Sequence, residues 1–461
     1  MCRFRGVVAA IVVAGCGTTA AAQPSVLTLG EAVRIALARS DRVADARQQV
    51  HEADVALRRA RAAFQPRLTP SIFSAFAQTA PSNQSYEVSF SELFSTGTSI
   101  TGRASALGQR NQLGRFFLTD TTLDVSQPLL RGLGEQVVRR DVLDAEAIRL
   151  DAEDSEAAVR SGLVVDIATS YYQAVVMRRQ VEVATAAVVR ARALADAAQA
   201  RLNVGRVSQL DVLRARQLLV HAEGQAADAE ATAEDAEDEL RALMGVGDEY
   251  VFAVAADIGP TLDVPSVEEA TAAVPSRPEL RVAQRAADRA VRAVTTARNR
   301  ALPNITAHVA LTRQGTTDTV GRAFGLDAFR AAAFLGASFP LDRSETSLAI
   351  ASAELTATRL QRVLERRHQS LVREARRAVR QYASAARQLQ AADTMVDITE
   401  RERQVATLRY ERGLSDNLEM ISAEQLLLAA RAQHLAARAE VAVAALRARL
   451  ASGLLSPDQL P

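Results

Sequence analysis

Residues 201–219, RLNVGRVSQLDVLRARQLL, and residues 409–427, RYERGLSDNLEMISAEQLL, are one passage written twice at an offset of 208. Gly205 answers to Gly413, Leu210 to Leu418, Asp211 to Glu419 and Gln217 to Gln425. In each copy a long run without proline leads up to the glycine and a second run leaves it, the pattern of a helical hairpin closed at its tip. Self-similarity at a fixed offset marks one structural unit used twice.

Upstream of the first tip, Glu135 to Leu202 contains no Pro and only Gly162; upstream of the second, a run without Pro or Gly extends from Asp342 to Arg412. At ~1.5 Å per residue each is a rod on the order of 100 Å. Such rods exceed any single domain's diameter, so they must pack along their length as coiled coil. The expected seams are Ala168, Tyr171, Val175 and Ala184 in one half and Ala375, Val379, Tyr382 and Ala386 in the other.

Farther out the order repeats. Residues 28–63 read as one helix, capped by Thr28 with Glu31 and ended by Pro66, and 279–301 as another, stopped at Pro303. Between each helix and the rod that follows lie segments of period two. These are 67–80 (Phe73 alone out of phase), 121–129, 304–311 and 331–341, with a further hairpin at 86–90 and 99–106 around Gly97. Pro66 pairs with Pro303 at offset 237 and Pro128 with Pro340 at offset 212, so the first β-region is longer by 25 residues. That excess reads either as an extra extracellular hairpin or as longer strands. Residues 245–278 form a linker of short elements, and the chain divides into repeats at 23–265 and 266–461.

The fold class is therefore mainly α with a small β portion: a long antiparallel helical coiled-coil tube joined to strands. Four short strands cannot close a barrel alone, and open edges in lipid leave backbone groups unpaired; if these strands span a membrane, several chains must share one barrel.

Composition narrows the setting. Of 461 residues 48% are hydrophobic, 24% charged and 4% aromatic, with no Trp and no Lys, which favours helix. A net charge of +1 offers no field for nucleic acid. Arg3 and Arg5 precede an apolar stretch at 6–15, as in an export signal. Two processing routes fit it: cleavage after Ala22, or a lipobox at Val13-Ala14-Gly15-Cys16 that removes 1–15 and lipidates Cys16. With Cys2 and Cys16 the only cysteines, neither a disulfide framework nor a thiolate zinc site can be built. No later apolar run approaches the ~18 residues of a spanning helix.

LTLGEAVRIALARS at 27–40, PRL at 66–68, VSQPLLRG at 125–132 and the paired G-x-x-x-x-L-[DE]-[VM]-[LI] elements at 205–213 and 413–421 resemble the TolC-type outer-membrane efflux proteins, over residues 27–453. The resemblance implies a homotrimer with a twelve-stranded barrel in outer-membrane lipid and a helical portion in the periplasm. It implies the exit duct of a tripartite efflux or type I secretion system, driven by an inner-membrane pump (RND or ABC type) through a periplasmic adaptor, or membrane fusion, protein. It implies no cofactor, and cargo chosen by the pump. By motif position Tyr410 and Asp211 match a gate contact at the periplasmic end, and Glu419 an acidic ring in the lumen. Ser415 and Ser422 depart from charged residues of the pattern, which weakens the latch and leaves one ring. Gly205 and Gly413 would mark the tip turns where an adaptor docks. Asp211 and Glu419 also suit a first helical turn, where a carboxylate favours the dipole, and Tyr410 equally suits packing.

Two other classes compete. A periplasmic coiled-coil scaffold without a pore would use the same rods but has no need of the strands. A secreted enzyme lacks a site. His51, His221, His308, His368 and His434 show no ligand spacing, no nucleophile motif is present, and Gly132-Leu133-Gly134 lacks the rest of a phosphate loop.

Overall fold

The computed structural model describes residues 25–75, 83–111, 114–205, 208–255, 258, 262–318, 329–412, 414 and 417–455. The duplication is kept to the residue in the helical hairpins. Helix α4 (Arg140–Asn203) turns into α5 (Gln209–Met244), and α8 (Ser344–Glu411) turns into α9 (Asn417–Ser452). Shifting the C-terminal end of α4 and both ends of α5 by 208 lands on the C-terminal end of α8 and both ends of α9, and α5 and α9 each hold 36 residues. Even the stops agree: Gly245 and Gly453 both adopt positive φ, and Val246 and Leu454 donate back to the carbonyls of Arg241 and Arg449. This is the glycine-closed helix end in which orphan carbonyls are satisfied.

At ~1.5 Å per residue the 64 residues of α4 and 68 of α8 make rods of roughly 100 Å. On α8 the buried positions Leu371, Ala378, Ala385, Ala392, Thr399 and Ala406 recur every seven residues, the period of a left-handed coiled coil. Ala423, Ala430 and Ala444 of α9 are buried as well. Of the seam positions expected, Ala168, Tyr171, Val175 and Ala375 are buried, while Ala184, Val379, Tyr382 and Ala386 are half-buried.

The largest core sits partway along the rods. Leu163, Ile167 and Tyr171 of α4 meet Val33 and Ala36 of α1 (Leu29–Arg39), Leu240 and Met244 of α5, and Val443 and Leu446 of α9. The Tyr171 hydroxyl donates to the Leu27 carbonyl at 2.9 Å. Leu27 belongs to β1 (Ser25–Leu27), which pairs in parallel with β6 (Phe252–Val254).

The first helix departs from the single rod expected over 28–63. The Thr28–Glu31 capping box is present, but Ser40 is extended (φ −63°, ψ 128°) and separates α1 from α2 (Asp41–Ala62). The cause is tertiary: the Gly245 turn lies against this backbone, so close that a Cβ there would stand 2.8 Å from the Arg39 carbonyl oxygen. A short α3 (Glu135–Val138) likewise precedes α4, with the break at Arg139. The linker holds α6 (Val267–Ala272) and a 3-10 turn before α7 (Pro278–Arg300).

The β-region is larger than expected. β2 (Arg67–Ala75), β3 (Asn83–Leu93), β4 (Ser99–Asn111), β5 (Gly114–Pro128), β7 (Asn304–Thr317) and β8 (Arg330–Ser338) form one antiparallel sheet in that order. The implied four strands per chain are thus six. The 25-residue excess is neither an extracellular appendage nor an extension; it supplies β3 and β4, whose turn lies at the helical end. Residues 76–80 of the expected first strand lie outside the described residues.

A charged ladder joins α4 to α7. Arg281, Arg285, Arg289 and Arg292 follow one face of α7 and meet Asp154, Asp151 and Asp144 of α4, with Arg285 and Arg289 reaching Asp151 at 2.7 and 2.6 Å. Burial pushes the Asp154 carboxyl up, but hydrogen bonds from Arg281 and Arg285 outweigh it and hold it below the usual range. A carboxylate depressed in the folded state contributes stability above its unfolded value and loses it as pH falls. The melting temperature should therefore drop below about pH 4, and less steeply in Asp154→Asn, when both are followed by thermal denaturation between pH 3 and 6.

Candidate functional site

The tips are built by caps. Gly205 has φ +70°, with its N–H donating to the Leu202 carbonyl at 2.9 Å, and a Cβ there would meet nothing within 4 Å. The constraint is backbone conformation rather than space. Gly205→Ala should cost about 1 kcal/mol, the penalty for an L-residue in this region, read as a small fall in chemical-denaturation midpoint without loss of assembly.

Asp211 closes a capping box with Ser208 at the start of α5. Its carboxylate accepts from the Ser208 amide at 3.0 Å and hydroxyl at 2.7 Å, and the Asp211 amide donates back at 3.2 Å. Those bonds, the hydroxyl's first, lower its carboxyl below the ordinary value. Glu419, its counterpart on α9, accepts instead from Arg409 across the break, at 2.7 Å. Arg409 is a partner the sequence reading missed, although it stands in the repeat opposite Arg201. Ser422 hydrogen-bonds the Glu419 carbonyl at 2.9 Å, a role within its own helix. Tyr410 lies in the last turn of α8, but its side chain is outside the described residues, as are Gly413, Ser415 and Cys16. The Leu414 amide donates to the Arg409 carbonyl at 2.8 Å, as those of Val246 and Leu454 do to Arg241 and Arg449.

Higher on the rods a second charged set ties the two hairpins together. Arg190 of α4 meets Glu424 of α9 at 3.2 Å. Arg403 of α8 reaches Glu424 at 4.0 Å and Glu400 at 2.8 Å, and Arg431 of α9 reaches Glu400 at 2.8 Å. Hydrogen bonding from Arg403 depresses the Glu400 carboxyl.

At the other end the sheet has two unlike faces, which the strand register fixes. Leu68, Ile72, Val88, Leu123, Val309 and Leu335 share one. Arg67, Glu87, Arg103, Asp120, Asp124 and Arg330 share the other. On the apolar face Leu68, Ile72 and Leu335 are 67%, 74% and 72% exposed in the isolated chain. On the polar face Arg103 pairs with Glu87 at 3.3 Å and Gln314 donates to Asp120 at 2.9 Å. Phe73 is on the polar side, as its phase in the sequence requires, and Phe334 joins it. Outward apolar and inward polar residues in alternation are the signature of a membrane barrel strand. No helix among the described residues is long and apolar enough to cross a membrane. Among the same residues no group of three His, Cys, Asp or Glu could hold a metal ion.

Comparison with known proteins gives a consistent result. The family profile described as outer membrane efflux protein matches residues 32–246 and 271–454. The cobalt-zinc-cadmium resistance protein CzcC of Cupriavidus metallidurans is 25% identical over 295 residues, 63% of this chain and 68% of CzcC. Among solved structures, the Campylobacter jejuni CmeC outer membrane channel aligns with TM-score 0.70 at 16% identity, over 92% of this chain and 85% of that one. The outer membrane protein VceC of Vibrio cholerae aligns with TM-score 0.68 at 18% identity, over 92% and 96%.

Proposed function

Because the chain belongs to the outer membrane efflux protein family, we propose that three copies of it form the exit duct of a tripartite export machine, fed by an inner-membrane pump through a periplasmic adaptor. The chain is an outer-membrane efflux channel with its helical tube in the periplasm; it is a conduit and not an enzyme.

One observation carries the assembly. β2 and β8 are the edges of the sheet, and among the described residues neither has a second strand partner. An apolar sheet with open edges cannot rest in lipid, where each unpaired backbone group costs several kcal/mol. Copies of the same chain, β8 of one beside β2 of the next, close it without any new partner. The rods point the same way: Leu348 and Leu355 on α8 are 69% and 70% exposed and await a neighbour.

The test is fractionation and imaging of the full-length protein. A detergent-extracted threefold ring from the outer membrane supports the reading. A soluble monomer would return the chain to the scaffold class.

Within this reading the tips at Gly205 and Gly413 seat the adaptor, and Tyr410, Asp211 and Glu419 line the periplasmic gate. Glu419 is partly neutralised by Arg409, so the gate is a set of small latches and not a bare acidic ring. Replacing Arg409 by Gln should raise the open fraction of reconstituted channels several-fold, and Arg190→Gln further, read as single-channel conductance. Unchanged gating in the double variant would exclude them as latches. The leader is removed after Ala22 or processed to a lipidated Cys16, and the mass of the mature N-terminal peptide distinguishes the two.

A further inference from the structure

The inserted hairpin β3–β4 is part of the wall. Its ladder to β5 runs without a slip from Ser99↔Ser126 to Asn111↔Gly114, and its ladder to β2 and β3 is equally continuous. Packing fixes it too: Ala106 and Phe117 are buried against Tyr86, with the Tyr86 and Phe117 rings 6.3 Å apart. Its turn is wedged at the helical end. The Phe94 amide donates to the Thr98 carbonyl at 2.8 Å, and the Thr98 hydroxyl bonds the Gln127 side chain. Gly97, at φ +94°, lies so close to the Pro128–Gly132 segment that a Cβ would stand 2.7 Å from the Gly132 carbonyl oxygen. A hairpin hanging in solvent would need none of these contacts.

The insertion also obeys the topology around it. β2 leads away from the helices and β5 returns, so one added hairpin preserves both the antiparallel order and the alternation of faces. Resting on the trimeric reading above, we propose that the outer-membrane segment is an eighteen-stranded barrel, six strands from each of three copies. Its lumen forms a wide vestibule that selects neither by size nor by charge. Barrel diameter grows roughly in proportion to strand number, so the lumen is about half again as wide as that of twelve strands, within the range that leaves an aqueous channel. The helical tube below gains no rod from the insertion, because β3 and β4 are joined by a turn alone. The vestibule therefore opens wider than the tube that feeds it. Its described inner face carries Arg67, Arg103 and Arg330 against Glu87, Asp120 and Asp124, three charges of each sign. Such balance gives no net field to sort cargo. The cargo class that fits is hydrated solute up to the width the helical tube admits, with all discrimination upstream of the barrel.

Imaging of the full-length protein in detergent tests this by counting strands around the ring. Eighteen is expected. A threefold ring of twelve strands, with residues 83–111 outside the wall, would overturn the vestibule and leave the duct intact; no ring at all would remove the duct itself. Labelling in intact outer membranes supplies a second measurement, since both native cysteines lie in the leader region. Val88→Cys faces lipid and should resist a water-soluble maleimide, while Ser89→Cys faces the lumen and should react at least tenfold faster. Equal rates would place the hairpin off the wall and overturn the proposal.

Discussion

Leu335→Arg should strip the protein from the outer membrane, whereas the same change at Ala332, three residues earlier on the same strand, should leave it there. Leu335 lies opposite Ala307 on the apolar face, and Ala332 opposite Ala310 on the polar one. An arginine facing lipid near the bilayer midplane costs about 2–4 kcal/mol, and little where it faces a water-filled lumen. The change recurs in every copy of the ring, so the penalty on assembly is a multiple of that figure. The readout is the yield of detergent-extracted oligomer from outer-membrane fractions. Equal losses for the two variants would contradict the assignment of faces.

Arg277→Met should weaken folding by about 3–5 kcal/mol, the range for removing one partner of a buried charged network. The Arg277 side chain is only 5% exposed. It pairs with Glu279 at 2.8 Å and Glu374 of α8 at 3.0 Å, and donates to the Ala451 carbonyl of α9 at 3.0 Å. A single side chain thus holds the start of α7 against both rods of the second hairpin. Methionine fills the stem's volume but leaves Glu279 and the end of α9 without their donor. Denaturant melting of the detergent-held protein should show the loss, and Glu374→Gln should lose much less, since Glu374 is 51% exposed.

The helical hairpins were legible because their boundaries follow from local signals: Gly205, Gly245, Gly453 and the Ser208 and Thr28 caps. Period two revealed the strands and even the odd phase of Phe73. What escaped depends on distant contacts. The break at Ser40 is set by a turn at Gly245, some two hundred residues away, and leaves no mark in its own neighbourhood. The pairing of β1 with β6 involves three residues on each side, too few to show a period. The expected spans for β3 and β4 were too short because Gly102 and Gly108 interrupt their apolar face, where small Ala104 and Ala106 contrast little with the Ser and Thr of the inner one. The α4–α7 ladder had a signal, arginines every three or four residues on α7, but their partners lie on another helix. Glu419 was found by motif, and Arg409 was not, because a charge's partner across a helix break is a fact of geometry.

The seven-residue seam of α8 has a consequence for how this protein can change. Its buried positions are mostly alanine, which offers almost nothing to remove: Ala→Gly forfeits about 1 kcal/mol of helix preference and opens no sizeable void. Adding a methyl group or two at Ala385 or Ala392 instead forces neighbouring backbones apart, at about 1–3 kcal/mol each. At these alanines, damage is therefore heavier toward bulk than toward loss. Surveys of random variants should find valine and leucine at these positions among the defective clones, and glycine and serine among the survivors.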